Sequence, residues 1–275
     1  MLKMIPPVAL TIAGSDSSGG AGIQADIKSM QANGAYAASV VTAITAQNTV
    51  AVTKAMDVPT DMIVAQINAV MDDLPVRAVK TGMLSSVAII EVVAERLSHY
   101  GVGNLVVDPV MVSKSGYDLL QADAMATLRD RMLPLATVCT PNVQEAMRLT
   151  GMSSIRTESD ARRAACIIHE MGPGAVLLKG GHLEDETYAV DVLYDGQDFR
   201  VYREERIHTK NTHGTGCTYA SAIAANLAQG MPLNAAVARA KLYVTKAIRA
   251  GLSIGSGHGP TDHFHFLREV SVSNP

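Results

Sequence analysis

The feature that most constrains this chain is an alternation of short apolar runs with longer amphipathic segments, kept up almost from end to end. Val8–Ala13, Ser39–Ala46, Ala78–Met83, Asn104–Asp108, Val138–Thr140 and Ala175–Lys179 read as strands buried on both faces, four of them followed at once by Gly or Pro. Between and after them Ile23–Asn33, Pro59–Asp72, Ser86–Tyr100, Gln121–Leu133 and Glu158–Met171 repeat apolar residues every three or four positions, as helices do. Thr157-x-x-Asp160 supplies a capping signal for the last. Strands that alternate with helices predict an α/β fold: a mostly parallel sheet with helices on both faces.

After Gly181 the rhythm changes. Tyr188–Tyr194 and Phe199–Ile207 flank Asp195-Gly196, a hairpin signal that predicts an antiparallel edge. Helices at about Gly216–Gln229 and Leu233–Ala250 follow, then a Gly-rich, His-containing tail from Gly251. No linker or internal repeat of roughly 20–50 residues interrupts the pattern, so a single domain over residues 1–275 is expected. The interior draws on Ala, Val, Ile and 14 Met, read as core filler.

A net charge of -3 without any Lys/Arg run argues against a nucleic-acid backbone or an anionic membrane as partner. No apolar run approaches the roughly 20 residues needed to span a bilayer, and the first residues lack a secretory pattern, so a cytoplasmic protein is expected. Cys139, Cys166 and Cys217 are an odd number at wide spacings, which fits neither a disulfide framework nor a Cys-x-x-Cys metal site. The eight histidines form no metal triad at helical spacing.

The sharpest segment is Asn211-Thr212-His213-Gly214-Thr215-Gly216-Cys217-Thr218, which runs into an apolar helix. A Gly-x-Gly turn at a helix N-terminus leaves backbone N–H groups unpartnered in front of the positive end of the helix dipole, which suits a phosphoryl oxygen. A glycine-rich turn capped by Thr215 or Thr218 is the blander alternative. Cys217 in the first turn would have its thiolate stabilised by the dipole, and so is expected to accept a proton near neutral pH; an inert buried cysteine is the alternative.

A second glycine-rich segment, Ala13 to Asp26, contains Gly20-Ala21-Gly22-Ile23-Gln24-Ala25, a match to the dinucleotide-binding G-x-G-x-x-A. The acidic residue expected about 20 positions on to hold a ribose is missing, since that stretch reads Ala43-Ile44-Thr45-Ala46-Gln47. An NAD-dependent oxidoreductase is therefore carried only as the rival of a different class. No G-x-x-x-x-G-K-[ST] occurs, so any phosphate transfer here is not that of a P-loop protein.

Polar residues follow several strands: Gln47-Asn48, Lys80-Thr81, Asp108, Asn142 with Glu145, and Lys179-Gly180-Gly181-His182. Beyond the carboxyl ends of parallel strands these should converge on one crevice. Taken singly, Lys80 and Glu145 are expected at the solvated surface. Lys179 follows Ala-Val-Leu-Leu, where an ammonium is expensive to bury unless it meets an anion.

These segments, together with Ala9 to Asp16, Lys80-Thr81-Gly82-Met83-Leu84 and Thr140-Pro141-Asn142, closely resemble the hydroxymethylpyrimidine/phosphomethylpyrimidine kinases, the thiamine-biosynthetic branch of the ribokinase superfamily, from about Val8 to His265. The resemblance implies a single-domain, ribokinase-like three-layer fold. It also implies ATP- and Mg²⁺-dependent phosphorylation of 4-amino-5-hydroxymethyl-2-methylpyrimidine and then of its monophosphate, and a homodimer. Cys217 stands where the sugar kinases of the superfamily carry Asp, so pyridoxal is the second candidate substrate and sugar the third. By the same resemblance Cys217 takes the hydroxyl proton. Gly214, Thr215 and Gly216 offer N–H donors, and Lys179 supplies positive charge. Asn142, Thr212, His213 and Lys179 are expected on the nucleotide, and Glu145 and Asp108 on Mg²⁺ through water. Gly14, Asp26 and Met83 are expected around the substrate with Gln47, whose amide offers a donor and an acceptor to the pyrimidine. Val112–Tyr117 is a candidate lid.

Overall fold

In the computed structural model, which describes residues 5–114, 116–181 and 183–271, the chain builds an eight-stranded sheet. Its strands are β1 (Val8–Ala13), β2 (Tyr36–Val41), β5 (Val76–Thr81), β6 (Leu105–Val107), β7 (Val138–Cys139), β8 (Val176–Leu178), β9 (Tyr188–Tyr194) and β10 (Phe199–Glu205). The order across the sheet is β10-β9-β8-β7-β6-β5-β1-β2. The β2-to-β8 part is parallel, while β9 and β10 run antiparallel at one edge, as the Asp195-Gly196 signal predicts. The loop holds four residues; Asp195 Oδ1 accepts the N–H groups of Gln197 and Asp198 and closes it.

Period-two alternation sorts the strand residues into two cores. Leu10, Ile12, Val79, Leu105, Val107, Val176 and Leu178 face one side, covered by α2 (Thr60–Met71), α3 (Val87–His99), α5 (Val143–Thr150) and α6 (Glu158–His169). Ala9, Ala78, Val106, Ala175 and Leu177 face the other, covered by α1 (Gly22–Ala32), α7 (Thr215–Ala228) and α8 (Leu233–Arg249). Small alanines on β1 and β5 leave room for α7, which is buried on every side from Thr218 to Ala228 and is made mostly of small and apolar residues for that reason. The three-layer expectation is met.

Three expectations need correction. Ser39–Ala46 is not one strand: at Thr42, whose N–H donates to Ala13 O and whose hydroxyl donates to Met83 O, the chain leaves the sheet. It continues as β3 (Ala43–Gln47), which pairs antiparallel with the unforeseen β4 (Val52–Asp57) in a separate two-stranded ribbon. Gln121–Leu133 is not one α-helix but α4 (Ala124–Thr127), a π-turn at Leu128–Met132 and a 3-10 turn at Leu133–Leu135. Pro134 has no N–H to give and its ring crowds the carbonyl four residues back, which opens the turn before it. The tail carries α9 (His265–Ser271).

The Thr157 cap is present as a full box, with Thr157 Oγ1 accepting the Asp160 N–H at 3.1 Å and Asp160 Oδ2 accepting the Thr157 N–H at 3.0 Å. Thr157→Ala should therefore cost about 0.5–2 kcal/mol of stability, read by urea unfolding, and leave ligand binding unchanged because neither Thr157 nor Asp160 lines the cavity described below.

Candidate active site

Beyond the carboxyl ends of the parallel strands lies a cavity of about 540 Å³. It gathers most of the residues singled out from the sequence: Gly14 after β1, Gln47 on β3, Lys80 and Met83 at and after β5, Asp108 after β6, Asn142 and Glu145 at the start of α5, and Lys179 after β8. Thr212 to Cys217 close it from the side of α7. His182 and Ser115 lie outside the described residues. Val112, Ser113 and Lys114 of the candidate lid line the cavity; Val112 bridges antiparallel to Asp118, and the Ser113 N–H donates to Tyr117 O at 2.8 Å.

The Gly-Thr-Gly-Cys turn is set by glycine geometry. Gly214 caps α7 with φ +77°, and a Cβ there would fall 1.8 Å from the Gly20 carbonyl oxygen. The two glycine-rich segments thus pack on each other, with Gly20 also against the His213 ring, where a Cβ would come within 2.4 Å. This close packing accounts for the G-x-G-x-x-A match without a dinucleotide. In the first turn of α7 the N–H groups of Gly216 and Cys217 have no helical acceptor and stand beside Lys179, whose Nζ lies 3.3 Å from where a Gly216 Cβ would be.

One end of the cavity is ionic. Lys179 Nζ donates to Asp108 Oδ1 at 2.7 Å, and Thr140 Oγ1 donates to the same oxygen at 3.1 Å. Asn142 and Glu145 form a capping box on α5: Asn142 Oδ1 accepts the Glu145 N–H at 3.0 Å, and Glu145 Oε2 accepts the Asn142 N–H at 2.8 Å. That Asn-x-x-Glu spacing was the missed sequence signal for α5. Burial pushes the Glu145 carboxyl up to about 7 against the pull of Lys179, and the nearby Asp108 adds to the rise. Neither Glu145 nor Lys80 is at the solvated surface: both are buried, Lys80 against Asp26 of α1 and Glu145 against its own helix cap and the Met111 backbone.

The other end belongs to the ribbon. Gln47 is anchored through its backbone, its N–H donating to Ser17 Oγ and its carbonyl accepting from that hydroxyl, both at 2.8 Å. Its amide nitrogen stands 3.4 Å from His213 Nε2. His213 Nε2 lies 2.8 Å from Asp16 Oδ2, and Asp16 also accepts from the Ser18 and Ala21 N–H groups. Burial works against ionisation of Asp16, but the hydrogen bonds from His213 and Ser18 hold its carboxyl down at about 2. The His213 ring thus pairs with Asp16 and stands beside Gln47 in the cavity wall. Asp16, not singled out for a role beforehand, organises that loop.

Two further corrections concern the thiol and the carboxylate below it. Burial pushes the Cys217 thiol up to about 11; Lys80 opposes this, Asp26 and Asp108 add to it, and a hydrogen bond with the Gly22 backbone opposes it. Desolvation is the largest of these effects, so the thiol is protonated near neutral pH. Asp26 does not line the cavity; fully buried beneath it, its carboxylate accepts from Lys80 Nζ, Thr11 Oγ1 and Ser221 Oγ.

The model of the phosphomethylpyrimidine kinase family matches residues 16–262. A hydroxymethylpyrimidine/phosphomethylpyrimidine kinase of Streptomyces coelicolor is 51% identical over 264 residues, 96% of this chain and 97% of that protein. The thiamine biosynthesis bifunctional protein ThiED of Geobacter sulfurreducens is 52% identical over 261 residues; the match takes in 95% of this chain but only 53% of that protein, so the chain spans about half its length. Among solved structures, an ADP complex of Bacillus subtilis pyridoxal kinase superposes with a TM-score of 0.89 at 42% identity, covering 95% of this chain and 99% of the other. A family match that begins in the Asp16 loop and ends in the tail at Asp262 takes in both ends of the cavity and the turn between them: the chain belongs to the phosphomethylpyrimidine kinase family.

Proposed function

We propose that the protein transfers the γ-phosphoryl group of ATP to 4-amino-5-hydroxymethyl-2-methylpyrimidine and then to its monophosphate, in thiamine biosynthesis. The observation that carries the reading is the position of the Gly214–Cys217 turn, which lines one cavity together with the Lys179–Asp108 pair and with Gln47. Phosphoryl transfer asks for in-line positioning and positive potential more than for covalent chemistry. The Gly216 and Cys217 N–H groups and the Lys179 ammonium would receive the phosphoryl oxygens, and Gln47, whose amide donors find no acceptor on a His213 nitrogen that itself donates to Asp16, would meet the ring nitrogen and amine.

Asp108 and Glu145 suit Mg²⁺. Two carboxyl groups, one of them raised by burial and by the other, gain from a dication, and Mg²⁺ keeps waters and phosphates for its remaining positions. When bound it would neutralise charge on the phosphates. Cys217, with the acceptor hydroxyl against it, would take the proton as the new O–P bond forms. The family's homodimer and cytoplasmic location belong to the same reading. The 51% identity with the Streptomyces pyrimidine kinase over nearly the whole of both chains favours the pyrimidine over pyridoxal, whose kinase in Bacillus subtilis is 42% identical. A coupled assay of ADP release with the pyrimidine alcohol, its monophosphate, pyridoxal and ribose tests this: turnover on pyridoxal alone would replace the reading.

Gln47→Leu should raise KM for the pyrimidine by the equivalent of about 1–3 kcal/mol with KM for ATP nearly unchanged, checked by steady-state kinetics varying each substrate. A change confined to ATP would put Gln47 at the wrong end.

Cys217→Ala should lower kcat by roughly 10²–10⁴-fold with the fold intact by circular dichroism. Because the thiol ionises near 11, kcat of the unmutated enzyme should still be rising with pH above 7, and that rise should vanish in the variant. A folded variant with near-normal kcat would show that the proton leaves by another route.

A further inference from the structure

Beneath Cys217 the floor of the cavity is charged. Lys80 shares the parity of Ala78 and points to the face that α1 and α7 cover; Thr11, its neighbour in the β1–β5 register, points the same way. The Lys80 ammonium is wholly buried and donates to both oxygens of Asp26 at 2.8 Å. Asp26 also accepts from Thr11 Oγ1 at 2.6 Å and Ser221 Oγ at 2.7 Å, so α1, α7, β1 and β5 meet at this one carboxylate. Ser221 is four residues beyond Cys217 on α7, which stacks the two side chains on one helix face and sets the thiol one turn from the pair. Lys80 and Cys217 line the same cavity. The groups that act on the sulfur are Lys80 from β5, Asp26 and the Gly22 N–H from α1, Asp108 after β6 and Lys179 after β8.

We propose that Lys80, fixed in place by Asp26, is a positioning residue of this enzyme: the counter-charge beside which the Cys217 thiolate forms. The inference rests on the reading of Cys217 as proton acceptor. The thiol releases its proton to water, and the thiolate stands against the Lys80 ammonium. The thiolate then takes the hydroxyl proton of the acceptor as its oxygen bonds to the γ-phosphorus and the bond from that phosphorus to the departing ADP oxygen breaks. The regained thiol proton passes to water, one proton per turnover. Lys80 itself neither gives nor takes a proton. Asp26 has the opposite electrostatic effect on the sulfur, and this makes the role separable from mere packing.

The test is the pH dependence of Cys217 alkylation by iodoacetamide, followed by peptide mass spectrometry so that Cys139 and Cys166 are counted apart, in the unmutated protein and in Lys80→Met, Asp26→Asn and the double variant. Lys80→Met should move the midpoint up by about one pH unit and Asp26→Asn should move it down by less, with the alkaline limb of kcat following each. The double variant keeps a neutral pair of similar volume; since Lys80 outweighs Asp26 at the sulfur, its midpoint should still move up, so the result holds even if a single variant fails to fold. Midpoints that stay put, or that move the same way in both single variants, would overturn the proposal. Shifted midpoints alongside a Cys217→Ala variant of normal kcat would keep the Lys80 coupling and remove the proton-acceptor reading; the reverse pattern would remove the coupling alone.

Discussion

A charge taken out of water needs a partner, and among the described residues three lysines around this cavity have each found an aspartate: Lys80 with Asp26, Lys179 with Asp108 and Lys241 with Asp191. Each pair joins elements that the sheet order alone would leave free to shift. The first ties α1 to β5, the second the ends of β6 and β8, the third α8 to β9. Removing one member of such a pair strands the other, at about 3–5 kcal/mol, so the pairs fix the site's geometry more than they add to net stability. The arrangement leaves positive charge at known positions in a walled crevice, where low dielectric makes it count.

The parallel sheet was legible because strands buried on both faces and helices with one apolar stripe have different periods, and the hairpin because Asp195-Gly196 names its own turn. What escaped depended on tertiary context. β3 was merged with β2, and β4 went unforeseen, because nothing in Ser39–Ala46 marks the break; Thr42 turns only because Ala13 of β1 and Met83 after β5 offer acceptors. The π-turn before Pro134 was hidden by an otherwise helical pattern.

Of the site, the residues were legible and their states were not. Gly214 to Cys217, Lys179, Asn142 and Glu145 could be picked out from motif and position. That Asp26 serves Lys80 rather than the ligand, that His213 belongs to Asp16, and that burial keeps the Cys217 thiol protonated near neutral pH all follow from distances and dielectric, which spacing along the chain does not carry. Lys80 is the clearest case, because a lysine that follows Arg77-Ala78-Val79 reads as a surface residue until its partner, 54 positions away in sequence, is placed beside it.

The ribbon that carries Gln47 is hydrogen-bonded as its own two-stranded sheet, while the thiol and the glycine turn sit at the start of α7, and Lys80 and Lys179 at the ends of β5 and β8 in the eight-stranded one. On the proposed reading, acceptor recognition and transfer chemistry would lie on different elements of one chain. Substitutions on β3 would then retune which alcohol is admitted without touching the ion pairs, and a lineage could exchange one heteroaromatic alcohol for another by changing a few ribbon side chains. Selection for a new acceptor would then leave its mark on the ribbon and spare the sheet.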